Sequence, residues 1–138
     1  MQIKRTSKAH WSGTGKEGKG NLSTPSNILN QSPYSFLTRF ENEAGTNPEE
    51  LIAAAHAGCF SMKLAFILSA AQITPDSIDT NCTIVLENGA ITKSNIETHV
   101  KANGLSAEQF DTMVADAEKN CPISKLLNTK ITVVSKLN

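Results

Sequence analysis

The feature that most constrains the fold of this chain is a long segment that opens with strong helix-start signals. Asn47 can cap a helix, Pro48 suits its first turn, and Glu50 stands where a capping-box partner of Asn47 would lie. Helix-forming residues then continue until Thr74-Pro75. The sequence therefore predicts a helix that runs from about Asn47 to about Ala71.

Short strands are predicted before this helix. They cover Met1–Trp11, Gly20–Thr24 and Tyr34–Phe40, and clusters of Gly, Pro and Asn separate them. The stretch Gly13–Gly20 is short enough for a hairpin loop, and it lacks the Gly-Lys-Ser/Thr ending of a phosphate-binding loop. We expect a small antiparallel sheet here.

A hairpin and a second helix are predicted after the long helix. The segments Ser77–Leu86 and Ile91–Val100 flank Asn88-Gly89, a dipeptide that tolerates the positive φ angles of a tight turn. Ser106 and Gln109 then form a capping box for a helix that ends near Cys121.

The last elements are a short helical turn from Pro122 through Leu127 and a strand over Lys130–Lys136. The predicted fold class is therefore α+β, with the order βββ-α-ββ-α-β in one domain over residues 1–138.

The charge balance argues against several classes of partner. Lys plus Arg and Asp plus Glu number 13 each, so no net field attracts nucleic acid or anionic lipid. Met1–His10 carries charge and no apolar stretch, and charged Glu50 and Lys63 lie in the most apolar helix. We therefore expect no signal peptide, no membrane span and no nucleic-acid partner, and a cytoplasmic location.

The cysteines are the main chemical signal. Cys59 lies in the middle of the long helix and Cys121 directly precedes a proline, which favours thiol chemistry over a disulfide scaffold. Cys82 alternates with Ile84 and Leu86 along a strand, as an inward-facing structural residue would. No Cys-x-x-Cys pair is present, so we expect no zinc or other metal site.

A nucleophilic Cys59 needs a positive group that stabilises its thiolate. Cys59 lies about three turns past the helix start, too far for the helix dipole to act. Lys63 and His56 lie within one turn of it on the same side. Arg39 is the favoured cation, because a guanidinium can bind a carboxylate on one edge and a thiolate or peroxide oxygen on the other. Glu49 is the candidate carboxylate.

Purely structural interpretations remain open for the same residues. A cysteine in the middle of a helix, such as Cys59, is commonly a small buried hydrophobic residue. A histidine on a helix, such as His56, is commonly a packed or solvated residue with no catalytic role. Cys121 shares a helical face with apolar residues, so core packing alone can explain it. Arg39 and Glu49 in isolation would be solvated surface charges.

Several segments resemble the signature segments of the OsmC/Ohr family, the osmotically inducible and organic hydroperoxide resistance proteins. They are Thr46–Leu51, Ala54–Met62 and Asn120–Lys125, and the similarity extends to His10–Gly13, Leu29–Gln31 and Thr38–Phe40. The resemblance covers nearly the whole chain and favours the OsmC branch. It implies a thiol peroxidase that reduces hydroperoxides, preferably organic ones. It also implies an intertwined homodimer, with two long central helices against β-sheets and two active sites at the interface.

The resemblance also implies a role for each site residue. Cys59 matches the peroxidatic cysteine, Cys121 the resolving cysteine that forms a disulfide with it, and Arg39 the arginine of the OsmC branch. Gly58 and Lys63 stand where small uncharged residues, usually alanine, are expected. The implied reductant is an external dithiol such as a lipoyl protein, and turnover is expected to need no cofactor.

The spacing of Glu49 and Cys59 predicts a contribution from a second subunit. The two residues are ten positions apart on one predicted helix, a rise of about 15 Å. We therefore expect that the Glu49 beside Cys59 belongs to the partner subunit, with the two long helices antiparallel about a twofold axis. A kinked helix that brings both residues of one chain together would contradict this.

Two other functions use the same residues. In a redox-sensing or stress-responsive binding protein, Cys59 and Cys121 would form a disulfide without turnover. In a cysteine hydrolase, Cys59 would work with His56, and Cys121 would have no role.

Overall fold

The computed structural model describes all 138 residues. They form two compact units, Met1–Leu51 and Ile52–Asn138. Each unit contains a three-stranded sheet, and helices complete the architecture. The predicted α+β class is confirmed, while the single domain over residues 1–138 stays a prediction.

The first unit contains the predicted small antiparallel sheet. Its strands are β1 (Lys8–Ser12), β2 (Lys19–Ser23) and β3 (Ser32–Tyr34), in the order β1-β2-β3. β1 and β2 pair antiparallel, and the residues between them form the predicted hairpin loop. The prediction of a strand over Met1–Trp11 is wrong at its beginning. Lys8 pairs with Ser23, the last residue of β2, so the residues before Lys8 have no strand beside them.

The predicted strand over Tyr34–Phe40 is also wrong. β3 ends at Tyr34, and a short helix α1 occupies Phe36–Phe40. The Ser35 hydroxyl accepts a hydrogen bond from the Thr38 N–H, and the Thr38 hydroxyl accepts one from the Ser35 N–H. This capping box satisfies two backbone donors and favours a helix over the β propensity of the aromatic residues.

The long helix α2 occupies Pro48–Ala70, as predicted. The Asn47 side-chain oxygen accepts the Glu50 N–H at 2.7 Å, which confirms the predicted cap. Glu50 does not complete a capping box with Asn47, because its carboxylate accepts the Thr46 hydroxyl at 2.7 Å instead. The helix is unbroken over its 23 residues.

By length and composition alone, α2 is apolar enough to cross a membrane. Core helices of soluble proteins pass the same test, so this is weak support for a membrane segment. The absence of a membrane partner stays a prediction.

The second unit contains the predicted hairpin. Strands β4 (Ser77–Glu87) and β5 (Ala90–Lys101) pair antiparallel, and the turn residues Asn88 and Gly89 have φ angles of 51° and 80°. The last strand, β6 (Lys130–Leu137), pairs in parallel with β5.

Two helices connect β5 to β6. Helix α3 (Ala107–Asn120) begins at the predicted capping box, in which Ser106 and Gln109 exchange hydrogen bonds of 3.1 and 2.9 Å. Helix α4 (Pro122–Leu126) follows Cys121 directly, as the proline predicted. Cys121 therefore lies at the junction of α3 and α4.

The core of the second unit lies between its helices and sheet. Helix α2 contributes Phe60, Leu64 and Leu68, which repeat every four residues and are fully buried. Residues of β5 and α3 complete this core: Ile96, Val100, Phe110, Val114 and Ala117. Cys121 is fully buried in the same core, and Cys59 packs against it.

Candidate active site

Arg39 and Glu49 form an ion pair in the first unit. The Arg39 Nε donates to one Glu49 carboxylate oxygen at 3.3 Å, and a terminal nitrogen donates to the other at 2.5 Å. Helix α1 positions the arginine and the first turn of α2 positions the carboxylate. This two-point contact fixes the guanidinium plane and leaves its other edge for a further acceptor.

The ion pair changes the acidity of both groups. The hydrogen bond to Glu49 is the main cause that raises the pKa of Arg39. Burial acts to raise the pKa of Glu49, but hydrogen bonds from Arg39 and from its own backbone hold this pKa below the usual value. Both groups are therefore charged at neutral pH.

Cys59 and Cys121 meet in the second unit. Cys59 is half-buried on α2, whereas Cys121 is 0% exposed. Cys59 packs against the core cluster that contains Cys121, and each thiol affects the pKa of the other. Both cysteines are free thiols in this structure.

The surroundings of Cys59 do not favour its thiolate. Burial, followed by the neighbouring Cys121 thiol, raises the pKa of Cys59. The Ile123 N–H and the Lys63 charge act in the opposite direction but do not overcome this. The thiolate of Cys59 therefore needs a further positive group, as its distance from the start of α2 predicted.

The surroundings of Cys121 favour its thiolate. Burial acts to raise its pKa, but the neighbouring Cys59 thiol, Ser124 and the Ile123 N–H act in the opposite direction, and the pKa of Cys121 lies below its ordinary value. A thiolate is the attacking form of a cysteine in disulfide chemistry.

His56 does not act on Cys59, contrary to the Cys-His interpretation. It is 0% exposed, and its ring nitrogens contact two serines: Nδ1 lies 2.6 Å from the Ser94 hydroxyl and Nε2 lies 2.8 Å from the Ser124 hydroxyl. Burial lowers the pKa of His56, so the ring is neutral at pH 7. Neither nitrogen is free to accept a proton from Cys59.

Cys82 lies at the far end of this hydrogen-bonded group. Its sulfur is 3.3 Å from the Ser94 hydroxyl and 4.0 Å from His56 Nδ1. Burial raises the pKa of Cys82 despite its bond to Ser94. Cys82 packs against the core, as its alternation with Ile84 and Leu86 predicted.

The roles of Ser94 and Ser124 were not predicted from the sequence. Ser94 lies in the inward-facing row of β5 with Ile96, Thr98 and Val100, and a buried hydroxyl in such a row must find a partner. Ser124 lies inside the Asn120–Lys125 segment, but no local pattern pairs it with a histidine. No group of three or more His, Cys, Asp or Glu side chains is placed to hold a metal ion.

Comparison with known proteins identifies the family. The family model described as OsmC-like protein matches residues 40–136. Peroxiredoxin OsmC of Escherichia coli (strain K12) is 48% identical over 137 residues, which cover 96% of each chain. Organic hydroperoxide resistance protein OhrA of Bacillus subtilis (strain 168) is 31% identical over 93 residues, 66% of each chain.

A solved structure supports the fold. An OsmC-like protein of unknown function from Vibrio cholerae superposes with a TM-score of 0.76 at 17% identity, covering 97% of this chain and 99% of that one. At this identity the likeness shows the fold alone. The family match, the identity with peroxiredoxin OsmC and this fold agree with one another, and the chain belongs to the OsmC family.

Proposed function

We propose that this protein is a thiol peroxidase that reduces organic hydroperoxides and, more weakly, hydrogen peroxide. The observation that carries the proposal is that a partly buried Cys59 packs against the core cluster that contains a fully buried Cys121. A peroxide from solution can reach only the first of these sulfurs. Exposure therefore supports Cys59 as the attacking residue and Cys121 as the resolving one.

The general class of activity rests on the relatives. Their names, peroxiredoxin and organic hydroperoxide resistance protein, denote peroxidases, and the prediction of a peroxidase-type oxidoreductase is confirmed. The individual roles of the site residues are part of our proposal.

In the first step, the Cys59 thiolate attacks the distal oxygen of the hydroperoxide. The O–O bond breaks, Cys59 becomes a sulfenic acid, and the alkoxide takes a proton and leaves as the alcohol. Arg39, oriented by Glu49, would stabilise both the thiolate and the negative charge that develops on the leaving oxygen. This role accounts for a permanently charged guanidinium held by two hydrogen bonds.

In the second step, the Cys121 thiolate attacks the Cys59 sulfenic sulfur. The S–S bond forms, the S–O bond breaks, and the hydroxide leaves as water after taking a proton. An external dithiol, such as a lipoyl protein, then reduces the disulfide. The lowering of the Cys121 pKa from its ordinary value supports its role as the attacking sulfur in this step.

The proposal includes a cytoplasmic homodimer in which the partner subunit supplies Glu49. Because Arg39 is bonded to Glu49 within one chain, the arginine would come from the partner with it. The side of α2 opposite its buried row exposes Met62 and Phe66, at 64% and 65%. A second copy of the chain would cover such an apolar surface.

Turnover tests the proposal. Wild type, Cys59→Ser, Cys121→Ser and, as a control, Cys82→Ser are assayed with an organic hydroperoxide and a dithiol, and the thiols are followed by mass spectrometry. We expect Cys59→Ser to be inactive, Cys121→Ser to accumulate overoxidised Cys59, and Cys82→Ser to retain turnover.

Two outcomes would favour the other functions. A Cys59–Cys121 disulfide without turnover would favour the redox sensor. Activity that does not depend on Cys59 would reject the thiol peroxidase. The cysteine hydrolase is already disfavoured, because both ring nitrogens of His56 are bonded to serines.

A further inference from the structure

Lys63 is the only charged residue of the long helix beyond its first turn. From Leu51 to Ala70, α2 carries no aspartate, glutamate or arginine and no second lysine, and its histidine is buried and neutral. Lys63 lies one helical turn after Cys59 and one turn before Ile67. The surroundings of Lys63 should therefore show what a lone charge does on so apolar a helix.

Lys63 belongs to a row of side chains that packs on the core. Cys59, Lys63 and Ile67 are spaced four residues apart and therefore share one side of α2. Cys59 and Ile67 both pack against the buried core cluster, and Lys63 between them is half-buried. The aliphatic stem of Lys63 therefore lies along apolar surface, and its ammonium group extends beyond this row.

The direction of the side chain brings the ammonium group towards Cys59 and not towards Ile67. In an α-helix each Cα–Cβ bond tilts towards the amino terminus, so a long side chain covers the turn that precedes it. For Lys63, that turn contains Cys59. In agreement with this direction, the charge of Lys63 acts to lower the pKa of Cys59, against the effect of burial.

No carboxylate of the chain competes for this ammonium group. The residues three and four positions away from Lys63 on α2 are all uncharged: Cys59, Phe60, Phe66 and Ile67. The one ion pair of the chain joins Arg39 and Glu49. The charge of Lys63 is therefore free to act on the group beside it that can become negative, the Cys59 sulfur.

We propose that Lys63 supplies positive charge to the Cys59 sulfur from the same chain and so stabilises the thiolate before a partner subunit contributes Arg39. This inference rests on the proposed function only for the use of the thiolate, because the charge acts in the reduced chain without peroxide. Lys63 alone does not overcome the effect of burial, so Arg39 keeps its role. The two cations divide the stabilisation of one thiolate.

The test is the pH dependence of alkylation of Cys59 in the reduced protein. Iodoacetamide is uncharged and reacts with thiolate, so the alkylation rate follows the ionised fraction of the thiol. Peptide mass spectrometry assigns the rate to Cys59. Lys63→Met keeps a long side chain and removes the charge. We expect it to move the midpoint upward by about half a pH unit, a roughly threefold change in the ionisation constant.

Other titratable groups stay in place in this variant. Those of the second unit that are not exposed are His56, Cys82, His99, Glu118 and Cys121. Among them, Cys121 acts on the pKa of Cys59. The Arg39–Glu49 pair of the first unit is also unchanged. A shift of the midpoint therefore reports the charge at position 63.

Three further variants separate charge from shape. Lys63→Arg keeps the positive charge and should keep the midpoint of the wild type. Lys63→Ala removes the charge with the best helix former and should shift the midpoint as Lys63→Met does, so the test does not depend on one variant. Lys93→Met removes an exposed lysine from the outward-facing side of β5. It makes the same change in net charge and should leave the midpoint in place.

The outcomes separate this inference from the peroxidase proposal, because the titration uses no peroxide. An unchanged midpoint in Lys63→Met and Lys63→Ala would overturn the role of Lys63, whatever the turnover. An equal upward shift in Lys63→Arg or Lys93→Met would overturn it too, because shape or net charge would then explain the shift. A shift confined to loss of the charge at position 63, in a protein without turnover, would support this role and reject the peroxidase.

Discussion

At the scale of single residues, the buried neutral His56 makes stability depend on pH. Its pKa in the folded chain lies below the ordinary value of 6.5, so below pH 6.5 the unfolded chain takes up a proton before the folded one does. We expect the free energy of unfolding to be highest above pH 6.5 and to fall as the pH is lowered through and below it.

Denaturant unfolding across a pH series measures this effect. In His56→Gln, which carries no titrating ring, the fall on the acidic side should be smaller than in the wild type. His10→Gln, at an exposed residue of β1, is the matched control for the loss of an imidazole ring. If the free energy of unfolding falls equally with pH in all three proteins, His56 is not the group that causes the fall.

The site residues divide into those that short motifs predict and those that only the folded chain brings together. Cys59 and Cys121 were predicted from their positions in the sequence, Arg39 and Glu49 from the charges that a thiolate needs, and all four lie in segments similar to the family. Ser94 and Ser124 were not, because they meet His56 across 38 and 68 positions of the chain. Hydrogen bonds of such long range leave no periodic pattern in a sequence.

At the scale of elements, two glycines should respond oppositely to the same substitution. Gly58 lies inside α2, and an added Cβ meets nothing within 4 Å. Gly58→Ala should therefore stabilise the chain by about 1 kcal/mol, the difference in helix propensity. Gly89 has a φ of 80° in the hairpin turn, so Gly89→Ala should destabilise it by about 1 kcal/mol.

Denaturant unfolding of each variant and of the wild type gives both changes in the free energy of unfolding. Gly89→Ala controls for any general effect of adding a methyl group. A loss of stability in Gly58→Ala would contradict the expectation and mean that the space beside Gly58 is filled in the assembled protein.

Local signals explain which elements were predicted correctly. Asn47 with Pro48, the Asn88-Gly89 turn and the Ser106 capping box are each complete within a few residues, so they fix α2, the hairpin and α3. The capping box formed by Ser35 and Thr38 is equally local, but the β-favouring residues around it led to the prediction of a strand in place of α1. The parallel pairing of β6 with β5 is a long-range feature that no local signal specifies.

At the scale of the whole molecule, the position of Glu49 relative to Cys59 decides how an active site is assembled. The two residues lie ten positions apart on α2, which is continuous from Pro48 to Ala70. Helical rise separates such residues by about 15 Å. We therefore propose that a compact site that uses Arg39 and Glu49 with Cys59 takes the first two residues from a partner subunit.

Mixed dimers test this arrangement directly. Cys59→Ser and Glu49→Gln subunits, carrying different tags, are co-expressed and the mixed species is isolated. If sites form between chains, one site of the mixed dimer combines the intact Cys59 of one subunit with the intact Glu49 of the other. The mixed dimer should then recover about half of the wild-type turnover, because one of the two sites that a twofold dimer holds is complete.

If each chain builds its own site, one site of the mixed dimer lacks Cys59 and the other lacks Glu49. The mixed dimer would then show no more than half the activity of the Glu49→Gln homodimer. Pairing Cys59→Ser with Cys121→Ser is the matched control. Cys59 packs against the core cluster that contains Cys121 within one chain, so this mixture should gain no recycling turnover beyond its parents. Recovery in the first mixture but not in the second would therefore place the cysteine pair in one subunit and Glu49 in the other.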